Sequence, residues 1–124
     1  MNWKHLLIAG AAVALVFLSR GQSATLSTDQ AREQLKNGAL LVDVRTPAEF
    51  AEKNLPGAIN LPLNSLKSGI TNHVADKSKA VLLHCQTGRR SGIAEKELRS
   101  LGYTNVFNIG SFEQAQKAVK GSAR

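Results

Sequence analysis

Val81-Leu82-Leu83-His84-Cys85-Gln86-Thr87-Gly88-Arg89-Arg90-Ser91-Gly92 is the stretch around which the rest of the chain is organised. Ala80 to Leu83 is a brief apolar run bounded by polar residues, the pattern of a strand buried on both faces. Ile93, Leu98 and Leu101 then recur at roughly helical spacing, and Gly102 stands where a helix C-terminus favours glycine. The stretch therefore predicts a strand, a short loop and a helix in succession. The only cysteine of the chain lies at the mouth of that loop.

A thiol facing a helix N-terminus lies close to unpaired N–H groups and to the positive end of the helix dipole. Arg89 and Arg90 add two fixed positive charges. Both effects favour thiolate over thiol and bring a cysteine below its free value of about 8.5. The same amides and guanidinium forks suit an oxyanion. A lone cysteine is more often a small buried hydrophobe than a nucleophile, but such a residue gains nothing from a glycine loop and two arginines. Cys85 is thus the candidate nucleophile, with Gln86, Thr87, Gly88, Arg89 and Arg90 as the candidate anion-binding loop.

Outward from this stretch, short apolar runs alternate with helical ones. Thr25 to Gly38 predicts a helix, with Ser27 and Gln30 at capping-box spacing and Gly38 at its end. Ala39 to Val44 predicts a parallel-type buried strand. Thr46-Pro47-Ala48-Glu49 starts the next helix: threonine fits the N-cap, proline the first helical position and glutamate the reciprocal cap. Ala58 to Leu61 predicts a strand. Leu66, Ile70 and Val74 suggest one amphipathic helix within Leu63 to Lys79. Thr104 to Asn108 and Ser111 to Val119 predict the last strand and helix. The alternation points to an α/β fold, a mostly parallel sheet with helices on both faces. Asp43, Arg45 and Glu49 then fall at the C-terminal edge of the sheet, where such folds place their sites. They are expected to form a charge network that locks the strand-to-helix turn. His84 neighbours the nucleophile in a strand, so its side chain points to the opposite face and is expected to support the loop by hydrogen bonding.

Cys85-Gln86-Thr87-Gly88-Arg89-Arg90 resembles the active-site loop of the rhodanese (sulfurtransferase) family in its small single-domain form. Leu41-Val42-Asp43-Val44-Arg45, Glu49-Phe50 and Pro56-Gly57-Ala58-Ile59-Asn60-Leu61-Pro62 support the resemblance upstream, and Leu101-Gly102-Tyr103-Thr104-Asn105-Val106 supports it downstream. The resemblance implies the three-layer rhodanese-like α/β fold. It also implies a reaction in which Cys85 takes the sulfane sulfur of thiosulfate as a persulfide and passes it to cyanide or a thiol acceptor, with no cofactor and no metal. Asp43 and Arg45 are then given a supporting role. A persulfide carrier or binding module would share the first half of that chemistry. Cysteine phosphatases and arsenate reductases use a similar loop with one residue more between cysteine and arginine. Here only Gln86 to Arg89 separate Cys85 from Arg90, and Ser91 occupies the phosphatase arginine position, which weakens that alternative. The chain departs from the family at Asn54, where histidine is common, and at Gly110-Ser111-Phe112, where the family often has two glycines followed by a tryptophan.

The 124 residues carry 43% hydrophobic content, enough for one modest domain and no tandem copy. Residues 1–24 have a basic start at Lys4 and His5, an apolar run from Leu6 to Leu18, and small residues at Gly21-Gln22-Ser23-Ala24. A run of about 13 residues suits a signal-peptide core better than a span of about 20. Residues 1–24 are therefore expected to be a signal peptide, or a short membrane anchor if Arg20 prevents cleavage, and 25–124 the domain. The protein is expected to be exported, periplasmic in a Gram-negative source, and monomeric. Net charge is +7, and loss of Lys4 and Arg20 with the leader leaves +5, which suits a small anionic substrate. The basic residues are scattered and Phe50, Tyr103, Phe107 and Phe112 sit at core-like positions, so no nucleic-acid partner is expected. His5, His73 and His84 are too far separated in the pattern to form a metal site.

Overall fold

The computed structural model describes residues 25–122, so the expected signal segment at 1–24 lies outside the described residues. Helix α1 (Thr28–Lys36) begins where the sequence places its cap: the Ser27 hydroxyl accepts from the Gln30 amide at 3.0 Å, and the Gln30 side chain accepts from the Ser27 amide at 2.9 Å. Thr46 and Glu49 repeat this reciprocal cap at α2 (Pro47–Glu52), with the proline at a position that needs no donor. The remaining helices are α3 (Leu66–His73), α4 (Arg89–Ser100) and α5 (Phe112–Ser122).

Between them run four strands, β1 (Leu40–Asp43), β2 (Ala58–Asn60), β3 (Val81–His84) and β4 (Val106–Gly110), in the spatial order β2-β1-β3-β4. Every pairing is parallel, as expected when each strand returns through a crossover rather than a hairpin. Side chains alternate across the sheet. Val42, Val81, Leu83 and Val106 face one core with Leu66, Ile70, Ala94 and Leu98 of α3 and α4. Leu41 and Leu82 face the other with Ala31 of α1 and Phe112, Ala115 and Ala118 of α5. Each of the Val, Leu, Ile and Phe side chains among them contributes about 1.5–3 kcal/mol when withdrawn from water. The result is helices on both faces of a parallel sheet, with its C-terminal strand ends converging near Cys85.

Three expectations are adjusted. The amphipathic helix expected within Leu63 to Lys79 follows a 3-10 turn at Leu63–Ser65, in which the Leu63 amide donates to the Val44 carbonyl at 3.0 Å. It is present as α3, which buries Leu66 and Ile70 but ends at His73. Val74 stays buried in extended conformation beyond it and accepts from the Tyr103 hydroxyl. The last strand lies later than expected, at Val106–Gly110, where a register shift after Leu83 pairs His84 with Gly110. Ile93 does not face the core but is 42% exposed. The inward face of α4 is Ser91, Ala94, Glu95 and Leu98, and a residue two positions from Ser91 points almost directly away from that face.

Candidate active site

The loop after β3 is fastened to the connection between β4 and α5. The Cys85 amide donates to the Gly110 carbonyl at 3.2 Å, the Phe112 amide donates to the Gln86 carbonyl at 3.3 Å, and Thr87 forms an antiparallel bridge with Ser111. Gly88 turns the chain into α4 with φ +99°, and a Cβ there would meet the Gly110 backbone at 3.4 Å. Only glycine adopts this conformation without strain. Gly88 is also the N-cap of α4 and gives it no side-chain cap. The free amides of the first turn must therefore be satisfied by something else.

That partner is sulfur. The Gly88 amide donates to Cys85 Sγ at 3.0 Å, the Ser91 amide at 3.4 Å and the Ser91 hydroxyl lies at 3.4 Å. Cys85 itself is 0% exposed. Burial is the largest single influence and pushes the thiol up, but the Ser91 hydroxyl and the amides of Ser91, Gly88 and Thr87 together outweigh it and hold the thiol below its ordinary value. The arrangement stabilises a thiolate with neutral, oriented donors.

The two arginines of the loop differ. Arg89 is exposed and makes no ion pair with a described residue. Arg90 is held by Glu49, with its guanidinium nitrogens 2.8 and 3.1 Å from the carboxylate oxygens. This pair joins α2 to α4 across the strand ends, and the Arg90 hydrogen bond, then the Thr46 amide, brings the Glu49 carboxyl down to about 2. Glu49 thus does not complete a network with Asp43 and Arg45, as the sequence suggested; it points toward the loop instead.

Asp43 and Arg45 form their own closed unit. Both are buried, the guanidinium straddles the carboxylate at 2.7 and 3.0 Å, and the Arg45 amide donates to the same carboxylate at 2.9 Å. His84 leans on this unit from β3, with Nε2 3.6 Å from Asp43 Oδ2 and Nδ1 3.2 Å from the Cys85 carbonyl oxygen. Burial holds its imidazole below the ordinary value despite the neighbouring carboxylate. His84 packs edge-on to Phe112, on the sheet face away from the Cys85 sulfur, and Arg45 and Lys53 lie 4.9 and 4.3 Å from the Phe112 ring centre. Asn54, the other departure from the family pattern, makes a local hydrogen bond to the Phe50 carbonyl at 2.9 Å.

The sequence reading missed Ser91 and Asn108. Ser91 is fully buried against the sulfur, and its hydroxyl lies 2.7 Å from Asn108 Oδ1. Its position six residues after the cysteine, one helical turn past Gly88, was the available signal. Nothing in the sequence tied Asn108 of β4 to it. Among the described residues no group of His, Cys, Asp and Glu side chains is placed to hold a metal ion.

Three comparisons bear on this geometry. The family model for the rhodanese-like domain matches residues 27–118. Thiosulfate sulfurtransferase PspE of Escherichia coli is 41% identical over 81 residues, covering 64% of this chain and 78% of that protein. The human thiosulfate:glutathione sulfurtransferase is 35% identical over 97 residues, covering 68% and 84%. Among solved structures, a rhodanese with anions from E. coli superposes with a TM-score of 0.60 at 38% identity, over 62% of this chain and 91% of that one.

Proposed function

Because the chain belongs to the rhodanese-like domain family, we propose that it works as a thiosulfate sulfurtransferase with Cys85 as its nucleophile. The observation that carries this reading is the convergence of the Gly88 and Ser91 amides and the Ser91 hydroxyl on one buried sulfur. Cys85 thiolate attacks the outer sulfur of thiosulfate, the S–S bond breaks, and sulfite leaves with the bonding pair. The remaining Cys85 persulfide is attacked at its outer sulfur by cyanide or by a thiol acceptor, and the Cys85 thiolate departs. Covalent transfer in two halves gives ping-pong kinetics.

The donors that hold the thiolate also receive it back as leaving group, so they serve both halves. Gln86, Thr87, Gly88, Arg89 and Arg90 form the substrate loop in this reading. Exposed Arg89 attracts the anion, Arg90 braces the loop through Glu49, and Asp43, Arg45 and His84 fix the strand end behind it. The domain is residues 25–124, and residues 1–24 direct export. The protein acts outside the cytoplasm as a monomer.

Intact mass of the purified protein before and after thiosulfate tests the reading, with Cys85→Ser alongside. The expected result is a gain of one sulfur atom, reversed by cyanide and absent from the variant. A folded, reduced protein that gains no sulfur overturns it and shifts the assay to phosphate esters and arsenate. The same spectrum reports whether residues 1–24 have been removed.

A further inference from the structure

The Ser91 hydroxyl has one proton and several acceptors within reach: Asn108 Oδ1 at 2.7 Å, the Gly88 carbonyl at 3.2 Å, Cys85 Sγ at 3.4 Å and the Gly110 carbonyl at 3.5 Å. The side chain of Asn108 is locked in orientation. Its Oδ1 accepts from the Gly110 amide at 2.8 Å, and its Nδ2 donates to the Gly88 carbonyl at 3.1 Å. An amide N–H must meet the oxygen and a carbonyl must meet the nitrogen, so the group cannot be turned over without losing both bonds. Gly92 leaves room for this placement, since a Cβ there would stand 3.4 Å from Asn108 Nδ2.

The shortest of these contacts makes Asn108 the nearest acceptor for the Ser91 proton. We propose that Asn108 is a positioning residue that competes with Cys85 for the single proton of Ser91 and so restrains the ionisation of the thiol to thiolate. While Cys85 is a thiol, the Ser91 O–H points at Asn108. When the thiolate forms, rotation about the Ser91 Cβ–Oγ bond turns the proton to sulfur, and Asn108 Oδ1 keeps the Gly110 amide. The S–H bond is the one that breaks, its proton passing to solvent, and the hydroxyl rotation itself moves no heavy atom. The charged groups around the loop are Arg89 and the Arg90–Glu49 pair on the α2 and α4 side, and Asp43, Arg45 and His84 behind β3. None of them is bonded to Asn108 or to the Ser91 hydroxyl, so the competition is between neutral groups. The inference rests on Cys85 being the nucleophile proposed above.

The test is the pH dependence of Cys85 alkylation by iodoacetamide in the full chain, for the unaltered protein, Asn108→Ala, Asn108→Asp, Ser91→Ala and the Ser91→Ala/Asn108→Ala double variant. Asn108→Ala is expected to move the alkylation midpoint to lower pH and to speed alkylation below that midpoint by roughly three- to tenfold, the worth of one released hydrogen bond. Asn108→Asp, a stronger acceptor of similar shape, is expected to move it upward. In the Ser91→Ala background, Asn108→Ala is expected to do nothing further. A midpoint unmoved or raised in folded Asn108→Ala, or a shift that persists without Ser91, overturns the inference. If Asn108→Ala fails to fold, an unmoved or lowered midpoint in Asn108→Asp does the same. Persulfide formation on thiosulfate, read by mass in each variant, separates the two proposals: loss in every protein sinks the sulfurtransferase reading, and retention with an unmoved midpoint sinks only the role of Asn108.

Discussion

Across the C-terminal end of β3, Asp43 and Arg45 on the α5 side are charged and closed on one another, whereas the groups that converge on the sulfur on the α4 side are neutral, with Arg89 and the Arg90–Glu49 pair outside them. Asp43 and Arg45 spend their hydrogen bonds on each other and on backbone, with almost no exposure. Among the described residues no charged group bonds to Cys85 Sγ; backbone amides and one hydroxyl aim at it. Two buried charges must compensate each other or the fold suffers, so the hydrogen bonds of Asp43 and Arg45 go to holding the fold. The neutral side keeps a capacity to bind a ligand because its donors belong to a helix N-terminus that nothing else caps. The comparison assigns stability to one face and reactivity to the other.

Asp43→Ala is the severest way to break it. The variant strands the Arg45 guanidinium in the core, and a loss of about 3–5 kcal/mol is expected in urea unfolding. Whatever fraction stays folded should still form persulfide. Loss of that activity in folded protein would mean that the ionic side also shapes the sulfur's surroundings. Gly88→Ala acts on the other side. It forces a Cβ into a left-handed conformation worth about 1–2 kcal/mol and displaces the amide nearest the sulfur, so persulfide formation should slow more than stability suggests.

Glu49→Gln, the mildest change, sharpens the comparison at its one exposed link. Both members of the Glu49–Arg90 pair are about one-third exposed, at 34% and 33%, so less than about 1 kcal/mol is expected. Its carboxyl lies near 2 in the folded protein against an ordinary 4.5. The stabilisation is therefore complete above 4.5 and is lost as pH falls toward 2. Acid titration of stability should show that component in the unaltered protein and lack it in the variant. Arg90, released, should also lower the KM for thiosulfate at low ionic strength, an effect that salt removes.

Elements whose start is written in side chains were legible in the sequence. Ser27 with Gln30 and Thr46 with Glu49 announce α1 and α2, and the run before Cys85 announces the central strand. The loop is recognisable as an anion cradle, and Thr87 and Gly88 of the expected Gln86–Arg90 stretch do turn their amides to the sulfur. What the sequence does not announce is that the Ser91 amide and hydroxyl join them. Backbone groups carry no residue type, and their direction depends on the turn at Gly88. Ile93 misled for a related reason: the loop fixes how α4 is rotated, and an apolar residue went to solvent so that Ser91 could reach the sulfur. Asn108 needed a register shift between strands distant in sequence. At Ser111 the departure from the usual second glycine has its own local use, since Ser111 and Gln114 cap each other at the start of α5.

Helices α1 and α5, from opposite ends of the described chain, share one core beneath the sheet, and Arg32 of α1 donates to the Lys117 carbonyl of α5 at 3.1 Å. No part of the sheet closes locally either. A nascent chain therefore pairs its strands only across the intervening helices, which places it among slower folders than helical domains of similar size. Until α5 emerges, Ala31, Leu41 and Leu82 lack the cover of Phe112, Ala115 and Ala118, and the loop that holds Cys85 lacks the Phe112 amide that fastens it. A ribosome-stalled chain ending before Phe112 should thus remain protease-sensitive throughout, with folding and the low-pKa thiol arriving together in one late step.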